Sequence, residues 1–581
     1  MQNNIMINSE LADIFEEIAD MLSVDDGVSR FEVLAYRKAA QTLSGLQESV
    51  LEIYKKGGIA ALMELPGIGK GISSSIKEYI DTGRMEKFEK LKKRYPVDFK
   101  TLTKIQGLGA KKVFKLYTNL RVRNLDDLKR AAEDQSIRKL AGFGAKSEIE
   151  IRNGITLFES SKGRMALGTA LPEAELIIRK LSESGLVDRA AIAGSTRRMR
   201  ETVGDLDLLV TSKRPPAVMD FIAHLDEVAD VVLRGPTKTT LRLKIGINCD
   251  VRVVDPISFG AALQYFTGNK DHNVKVRQVA IRLGYKLNEY GLFDKKGRNV
   301  AGLEEKDIYD RLGMDIMDPE MREDRGEVQL SLKHKLPKVV EMGDILGDLH
   351  THTNHSDGSA SIIEMAQAAK KIGHRYIGIT DHSKSEYIAH GMDDRKFAKH
   401  FAEIDKVNDK LDGITLLKSS EIDILKDGRL DLSKKTLDAM DYRLAAVHQN
   451  LGMDKASMTK RIITALESGN VDILAHPTDR LINARGPISF DLDKVFQAAE
   501  DNSVALEING NPGRLDLNDE NIIKAREYRV MFSIDTDSHS TTDLMFMRYG
   551  VSTAKRGWLS SERVINSMGI EGLLKHFNKG K

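Results

Sequence analysis

Two patterns of apolar and polar positions divide the chain. Up to about residue 160, apolar side chains recur every three or four positions, as in Phe31-Glu32-Val33-Leu34-Ala35-Tyr36-Arg37-Lys38-Ala39-Ala40, and β-branched runs are few. That spacing places the apolar residues on one helix face, so an all-α beginning is expected. From about 165, short apolar runs alternate with helical stretches, the pattern of α/β folding. Asp205-Leu206-Asp207-Leu208-Leu209-Val210 reads as one strand, and Leu241 to Ile247 with Val251 to Val253 reads as a second strand carrying Asp250 at its polar break. A further α/β stretch runs from Pro256 to about 320, and the charged segment 321–343, with Arg322, Glu323, Asp324 and Arg325, reads as a linker.

Beyond 344 the alternation becomes regular, and each apolar run ends on potential metal ligands. Ile345 to Leu349 leads to His350, His352 and Asp357; Tyr376 to Thr380 leads to Asp381-His382; Ile414 to Leu417 leads to Glu421. Tyr442 to Val447 delivers His448, Val471 to Ala475 delivers His476, Val504 to Ile508 carries Glu507, and Val530 to Ile534 leads to Asp537 and His539. Functional residues gathered after the strands are how a β/α barrel builds its site, and seven strands rather than eight predict a distorted (β/α)7 barrel. More donors gather here than the four that zinc commonly takes, so two or three ions fit better than one. Mixed imidazole and carboxylate ligation suits Zn²⁺, Mn²⁺ or Fe²⁺, and clustered ions of this kind suit phosphoester hydrolysis.

A second candidate centre lies earlier. Asp205 and Asp207 are two apart on a strand, so both emerge from one face, and Asp250 on a neighbouring strand would complete a carboxylate group. Three hard oxygen ligands suit Mg²⁺, the ion that accompanies substrate phosphates. Gly194-Ser195 upstream strengthens that reading, because solvated strand-end aspartates would need no such partner.

The helical part repeats one motif three times: Leu65-Pro66-Gly67-Ile68-Gly69-Lys70, Ile105-Gln106-Gly107-Leu108-Gly109-Ala110-Lys111 and Leu140-Ala141-Gly142-Phe143-Gly144-Ala145-Lys146. The glycines permit a tight hairpin whose backbone N–H groups open the next helix and face a phosphate, with the lysine adding positive charge. A single Gly-x-Gly is usually only a turn; three copies predict a DNA-backbone clamp that ignores base identity.

Composition narrows the setting. At 581 residues the chain exceeds one core, and about 150 residues per domain predicts roughly four units. With 41% hydrophobic and 30% charged residues, no bilayer-length apolar run and no secretory start, a cytoplasmic protein is expected. The single cysteine, Cys249, forms no internal disulfide and reads as a core residue. A net charge of +2 means that any nucleic-acid surface is local.

Together the Gly hairpins, Gly194-Ser195, Asp205-Leu206-Asp207 and Tyr265-Phe266-Thr267-Gly268 resemble the X family of DNA polymerases, the beta-type repair enzymes, over about residues 1–320. His350-Thr351-His352, Asp381-His382, Ala475-His476-Pro477 and Asp537-Ser538-His539 resemble a polymerase-and-histidinol-phosphatase (PHP) domain over about 344–575, a fusion found in bacteria and archaea. The resemblance implies a helical domain at 1–95, a duplex-binding helical domain at 96–164, a nucleotidyltransferase palm at 165–255, a nucleotide-selecting thumb at 256–320, the linker, and the PHP barrel. It implies that Asp205, Asp207 and Asp250 hold two Mg²⁺ ions and are catalytic. Gly194, Ser195, Arg198 and Gly204 would bind the nucleotide, a dNTP, Ser195 and Arg198 at its triphosphate. Tyr265, Phe266 and Gly268 would pack on its sugar, with Asn273 and Arg277 at the nascent pair and template.

In the barrel the resemblance implies nine metal ligands: His350, His352, Asp357, His382, Glu421, His448, His476, Asp537 and His539. Two positions depart from the repair members. Ser75 stands where they keep a Schiff-base lysine, so deoxyribose-phosphate lyase chemistry by that route is not expected, and Asn248 stands where they carry an arginine. The reading that follows is a monomeric, template-directed DNA polymerase that fills short gaps in repair, acting on gapped or primer-template DNA. Its PHP domain would be a 3′→5′ exonuclease, with abasic-site endonuclease and 3′-phosphatase activities known among relatives. The alternative is a template-independent or small-substrate nucleotidyltransferase with an independent phosphoesterase. A non-catalytic scaffold is disfavoured, because buried charges without metal cost several kcal/mol each, on the order of 3.

Overall fold

Apolar residues at helical spacing do form helices in the first part of the chain, and the α/β pattern does form sheets in the second. The computed structural model describes residues 3–25, 27–46, 49–103, 105, 107–160 and 163–577. The chain divides into two compact units, Met1–Lys162 with Asn483–Gly486, and Gly163–Ile482 with Pro487–Lys581.

The first unit is helical. Its longer helices include Asn3–Leu22, Arg30–Gly45, Val50–Met63, Lys70–Thr82 and Ala110–Leu120, around a core of Leu11, Phe15, Ile18, Leu43, Ile76, Phe99 and Leu116. Serine and asparagine caps begin several of them: Ser29, Ser49 and Asn124 accept from the N–H of Phe31, Leu51 and Asp127.

The second unit opens with a five-stranded sheet in the order Arg189–Ile192, Asp205–Thr211, Asn248–Val253, Lys238–Leu243, Val228–Arg234. Its hydrophobic side, including Leu206, Leu208, Val210 and Val251, packs with Leu171 and Ile177 of helix Leu167–Glu183 and with Val218 and Ile222 of helix Pro215–Ala223. Strand alternation sends Asp205 and Asp207 to the opposite face. The apolar stretch 241–253, expected to be one strand, is two: Lys238–Leu243 and Asn248–Val253 pair antiparallel across a turn in which Gly246 has φ 89°. A left-handed glycine closes a hairpin where an unbroken strand would have passed through. Helices Phe259–Thr267 and Lys270–Arg282 and a small antiparallel sheet follow.

Segment 321–343 is not a loose linker. Arg322 is fully buried and donates to the Met317 carbonyl and to Glu305, while Glu327, also buried, accepts from His272 and the Arg325 N–H. Arg322, Glu323, Arg325 and Glu327 at its start are held in ion pairs, whereas Lys333, Lys335, Lys338 and Glu341 further along face solvent.

The last part is a barrel of parallel strands. Gly347–Thr351, Tyr376–Ile379 and Thr415–Lys418 form one run, and Glu421–Asp423, Leu444–Ala446, Ile473–Leu474, Ala505–Asn509 and Phe532–Asp535 form another. The bridge His382 to Glu421 joins the two runs, and Thr351 to Ser538 closes the ring. Thr415–Lys418 and Glu421–Asp423 are two halves of one strand interrupted at Ser419-Ser420, which makes seven strand positions, as the sequence pattern predicts. Three buried clusters, one including Ile345, Leu506 and Phe532, another Ile377 and Phe397, and the third Leu349, Tyr376 and Tyr442, fill its layers.

Candidate active sites

The carboxylate site is built by strand register. Asp205–Thr211 runs parallel to Asn248–Val253 with Asp207 directly opposite Asp250 and Asp205 opposite Asn248. Asp250 accepts from Thr240 at 2.5 Å, from Lys238 at 2.7 Å and from Arg252 at 3.0 Å. Burial would raise its pKa, but these partners outweigh burial and lower it. At Asp207 burial, then the charges of Asp205 and Asp250, outweigh the same Arg252 and Lys238 and push it up to about 6. Carboxylates that repel one another in this way are what a divalent cation relieves. Gly194 lies against Asp207: a Cβ there would fall 2.5 Å from Asp207 Oδ2, and its φ of 65° favours glycine.

The residues expected to meet a nucleotide gather near this face, several already engaged. Arg198 donates to Glu323 at 3.0 Å and to the Thr267 carbonyl. Asn273 is buried, donating to the Tyr265 carbonyl at 2.7 Å and accepting from Gln264 at 2.8 Å. Arg277 donates to the Asn273 carbonyl at 3.3 Å. Tyr265 and Phe266 meet edge to face at 5.1 Å, and a Cβ on Gly268 would sit 3.3 Å from Arg198 Nη1. Ser195 lies on the turn Gly194–Arg197, and Gly204 precedes Asp205.

The three Gly hairpins share one geometry. Gly67, Gly107 and Gly142 hold φ of 73°, 87° and 82°, and Ile68, Leu108 and Phe143 donate back to Leu65, Ile105 and Leu140. Gly69, Gly109 and Gly144 stand just before helices that begin at Lys70, Ala110 and Ala145, with open space where a Cβ would be. Lys70, Lys111 and Lys146 lie in the first turn of those helices, and Gln106 lies outside the described residues. Ser75 donates to the Gly71 carbonyl at 3.2 Å.

In the barrel all nine expected ligands converge at the strand C-termini. Glu421 is central: Oε1 lies 2.8 Å from His448 Nε2 and 2.7 Å from His476 Nε2, and Oε2 lies 3.3, 3.4 and 3.2 Å from His350, His352 and His382. Asp537 Oδ1 sits 3.3 Å from His352 Nε2, and Asp357 Oδ2 sits 3.3 Å from His539 Nε2. His352, Asp357, His382 and His539 form one group with ligand atoms within 4.8 Å of one another; His350, His352, Glu421 and Asp537 form a second, and His382, Glu421 and His448 a third. Among the described residues, every group that meets this criterion is in the barrel.

The donor set fits metal. His350 Nε2, both nitrogens of His352, His382 Nδ1 and His476 Nδ1 are buried without a hydrogen-bond partner, a costly arrangement unless cations fill it. Burial favours a raised Glu421 pKa, yet His448, His382 and His350 overcome it and hold the carboxyl well below its usual range. Burial lowers His382 to about 3, whereas Asp357 overcomes burial and raises His539 to about 10. His476 and Asp537 hold left-handed backbone, φ 24° and 54°, strain of the kind stored at functional sites.

Three residues with no assigned role complete the arrangement. Glu507 accepts from His350 Nδ1 at 2.6 Å and from the His476 N–H at 2.5 Å; Asp423 lies 2.9 Å from His448 Nδ1. Arg514 pairs with Asp479 at 2.7 Å and lies 3.5 Å from Asp537. Carboxylates behind ligating imidazoles set tautomer and ring orientation. Glu507 at a strand end was the visible signal; which histidine it would support was not.

A palm-type carboxylate sheet joined to a seven-stranded barrel with clustered imidazoles defines a two-centre, metal-dependent phosphoryl-transfer protein. Known families agree with that division. A helix-hairpin-helix domain profile matches residues 6–85, a SAM-like helix-hairpin-helix tandem 99–155, a DNA polymerase beta thumb 262–323 and a PHP domain 348–511. The chain is 37% identical over 569 residues to the DNA polymerase/3′-5′ exonuclease PolX of Bacillus subtilis, spanning 97% of this chain and 98% of that protein. It is also 29% identical to a probable phosphatase of a Thermoanaerobacter species over 40% of this chain and 94% of the relative, and 36% identical to the probable phosphatase YcdX of Escherichia coli over 28% and 64%. The chain belongs to the PolX family, X-family DNA polymerases that carry a PHP domain. No described helix is long and apolar enough to cross a membrane.

Proposed function

We propose that this protein is a template-directed DNA polymerase that fills short gaps during repair, and that its barrel removes nucleotides from the 3′ end. The observation that carries the reading is the in-register pairing of Asp207 with Asp250 on a sheet joined to a barrel of nine convergent donors. Asp205, Asp207 and Asp250 would hold two Mg²⁺ ions, which when bound align the primer hydroxyl with the α-phosphate and neutralise charge in the transfer. Gly194 leaves Asp207 its place, and Ser195 with Arg198 would receive the triphosphate oxygens. Tyr265, Phe266 and Gly268 would pack on the incoming sugar, with Asn273 and Arg277 toward the pair and template. The Gly hairpins would grip the phosphate backbone through helix N-termini and Lys70, Lys111 and Lys146.

In the barrel the nine ligands would hold two or three ions of Zn²⁺, Mn²⁺ or Fe²⁺, whose charge stabilises a phosphodiester under attack. Glu507 and Asp423 keep His350, His476 and His448 oriented for that task. The kinship with probable phosphatases supports a 3′-phosphatase reaction at the same site. Ser75, unable to form an imine, speaks against lyase chemistry at its position. The protein would act as a monomer.

The test is a gapped duplex with a 3′ mismatch, treated with wild type, Asp205→Ala and His350→Ala. Loss of synthesis only in the first and of trimming only in the second is expected. Trimming at the wild-type rate by His350→Ala would overturn the barrel assignment.

A further inference from the structure

Beside the nine-residue centre the barrel holds a second set of donors. His355, Asp381 and His400 each offer one ligand atom, and these lie within 4.8 Å of one another. They come from separate elements: the loop after strand Gly347–Thr351, the residue just past strand Tyr376–Ile379 and Thr380, and helix Asp394–Asn408. Asp381 and His400 are buried, His355 half-buried.

His400 is the unusual member. It is 1% exposed, and neither ring nitrogen makes a hydrogen bond, although Nε2 is 3.1 Å from Asp381 Oδ2. His400 Nε2 and Asp381 Oδ2 are spaced as two ligands of one tetrahedral ion would be. The rings of His355 and His400 are 4.4 Å apart, and Glu403, one turn beyond His400, lies 3.1 Å from His355 Nε2. Asp381 has capacity for this: Oδ1 accepts from the Thr353 N–H and Ser356, whereas Oδ2 accepts only from Thr353 Oγ1, which leaves a lone pair toward His400.

We propose that His355, Asp381 and His400 bind one transition-metal ion of the zinc class, distinct from the ions of the nine-residue centre. Two imidazoles and a carboxylate oxygen are a set that Zn²⁺ accepts. The ion ties helix Asp394–Asn408 to the loop that carries His352 and Asp357, because Asp381 holds Thr353 and Ser356 of that loop. It steadies ligands of the neighbouring centre and touches no substrate.

Metal content measures this without reference to either activity, so its failure and that of the functional reading are separable. The full-length protein is stripped of metal, reloaded with Zn²⁺, dialysed, and its bound metal counted by mass spectrometry. His400→Ala and His355→Ala are each expected to hold one equivalent per chain less than wild type, and the double variant no less than either single one. His355 is half-exposed, so His355→Ala serves if His400→Ala does not fold. A folded His355→Ala with the wild-type metal count overturns the proposal.

Discussion

At the scale of single residues, Asp207 decides how the carboxylate centre responds to pH. Its pKa, pushed up to about 6 from an ordinary 3.8, makes the fold prefer the protonated form. Below the ordinary value both folded and unfolded chains are protonated there, so nothing is lost. Between about pH 4 and 6 the unfolded chain releases its proton first, and above 6 a penalty of up to about 3 kcal/mol is complete. A divalent cation offsets that penalty. Mg²⁺ is therefore expected to raise the melting temperature of the metal-free protein more at pH about 7.5 than at about 5, and less in Asp207→Asn. Equal shifts at both pH values would contradict this. The Asp205/Asp207 spacing was legible because strand alternation is local, whereas the partnership of Glu507 with His350 and of Asp423 with His448 depends on which strands end side by side.

At the scale of elements, the three Gly hairpins were legible down to their conformation, since a left-handed turn and a helix start are both written into a few adjacent residues. If their helix N-termini meet phosphates, Lys70→Ala should weaken duplex binding uniformly across sequences and lower the salt-dependence slope by about one. Binding isotherms across a salt series read this directly, and an unchanged slope would remove Lys70 from the DNA surface. The hairpin at Gly246 was not legible: its two strands, 238–243 and 248–253, have apolar residues on both sides of a turn lacking proline or an Asn-Gly pair. Only the pairing shows that the second of them, carrying Asp250, inserts beside Asp207.

At the scale of the whole second unit, palm-type sheet, thumb and barrel are joined by buried charge. Arg556 of the barrel donates to Glu323 at 3.0 Å, to Asp519 at 2.6 Å and to the Arg198 carbonyl at 2.7 Å, and Arg325 joins Asp519 at 3.0 Å. Glu323 thus holds Arg198, expected to receive triphosphate, and Arg556 together. Arg556→Met would leave Glu323 and Asp519 short of a buried partner, and should lower stability by about 3 to 5 kcal/mol in denaturant unfolding. A loss under about 1 kcal/mol would show that the network is solvated.

The sequence alone determined the succession of helical repeats, a carboxylate-bearing strand and a barrel with donors at its strand ends, because helix and strand periods and turn glycines act over a few residues. It also held every residue of the nine-donor centre. Tertiary structure decided that Asp250 stands opposite Asp207, that the charges at 322–327 form an interior brace, and that His355, Asp381 and His400 meet. Those outcomes depend on register and on contacts between positions far apart in the chain, where burial and charge pairing act on neighbours that no local pattern names.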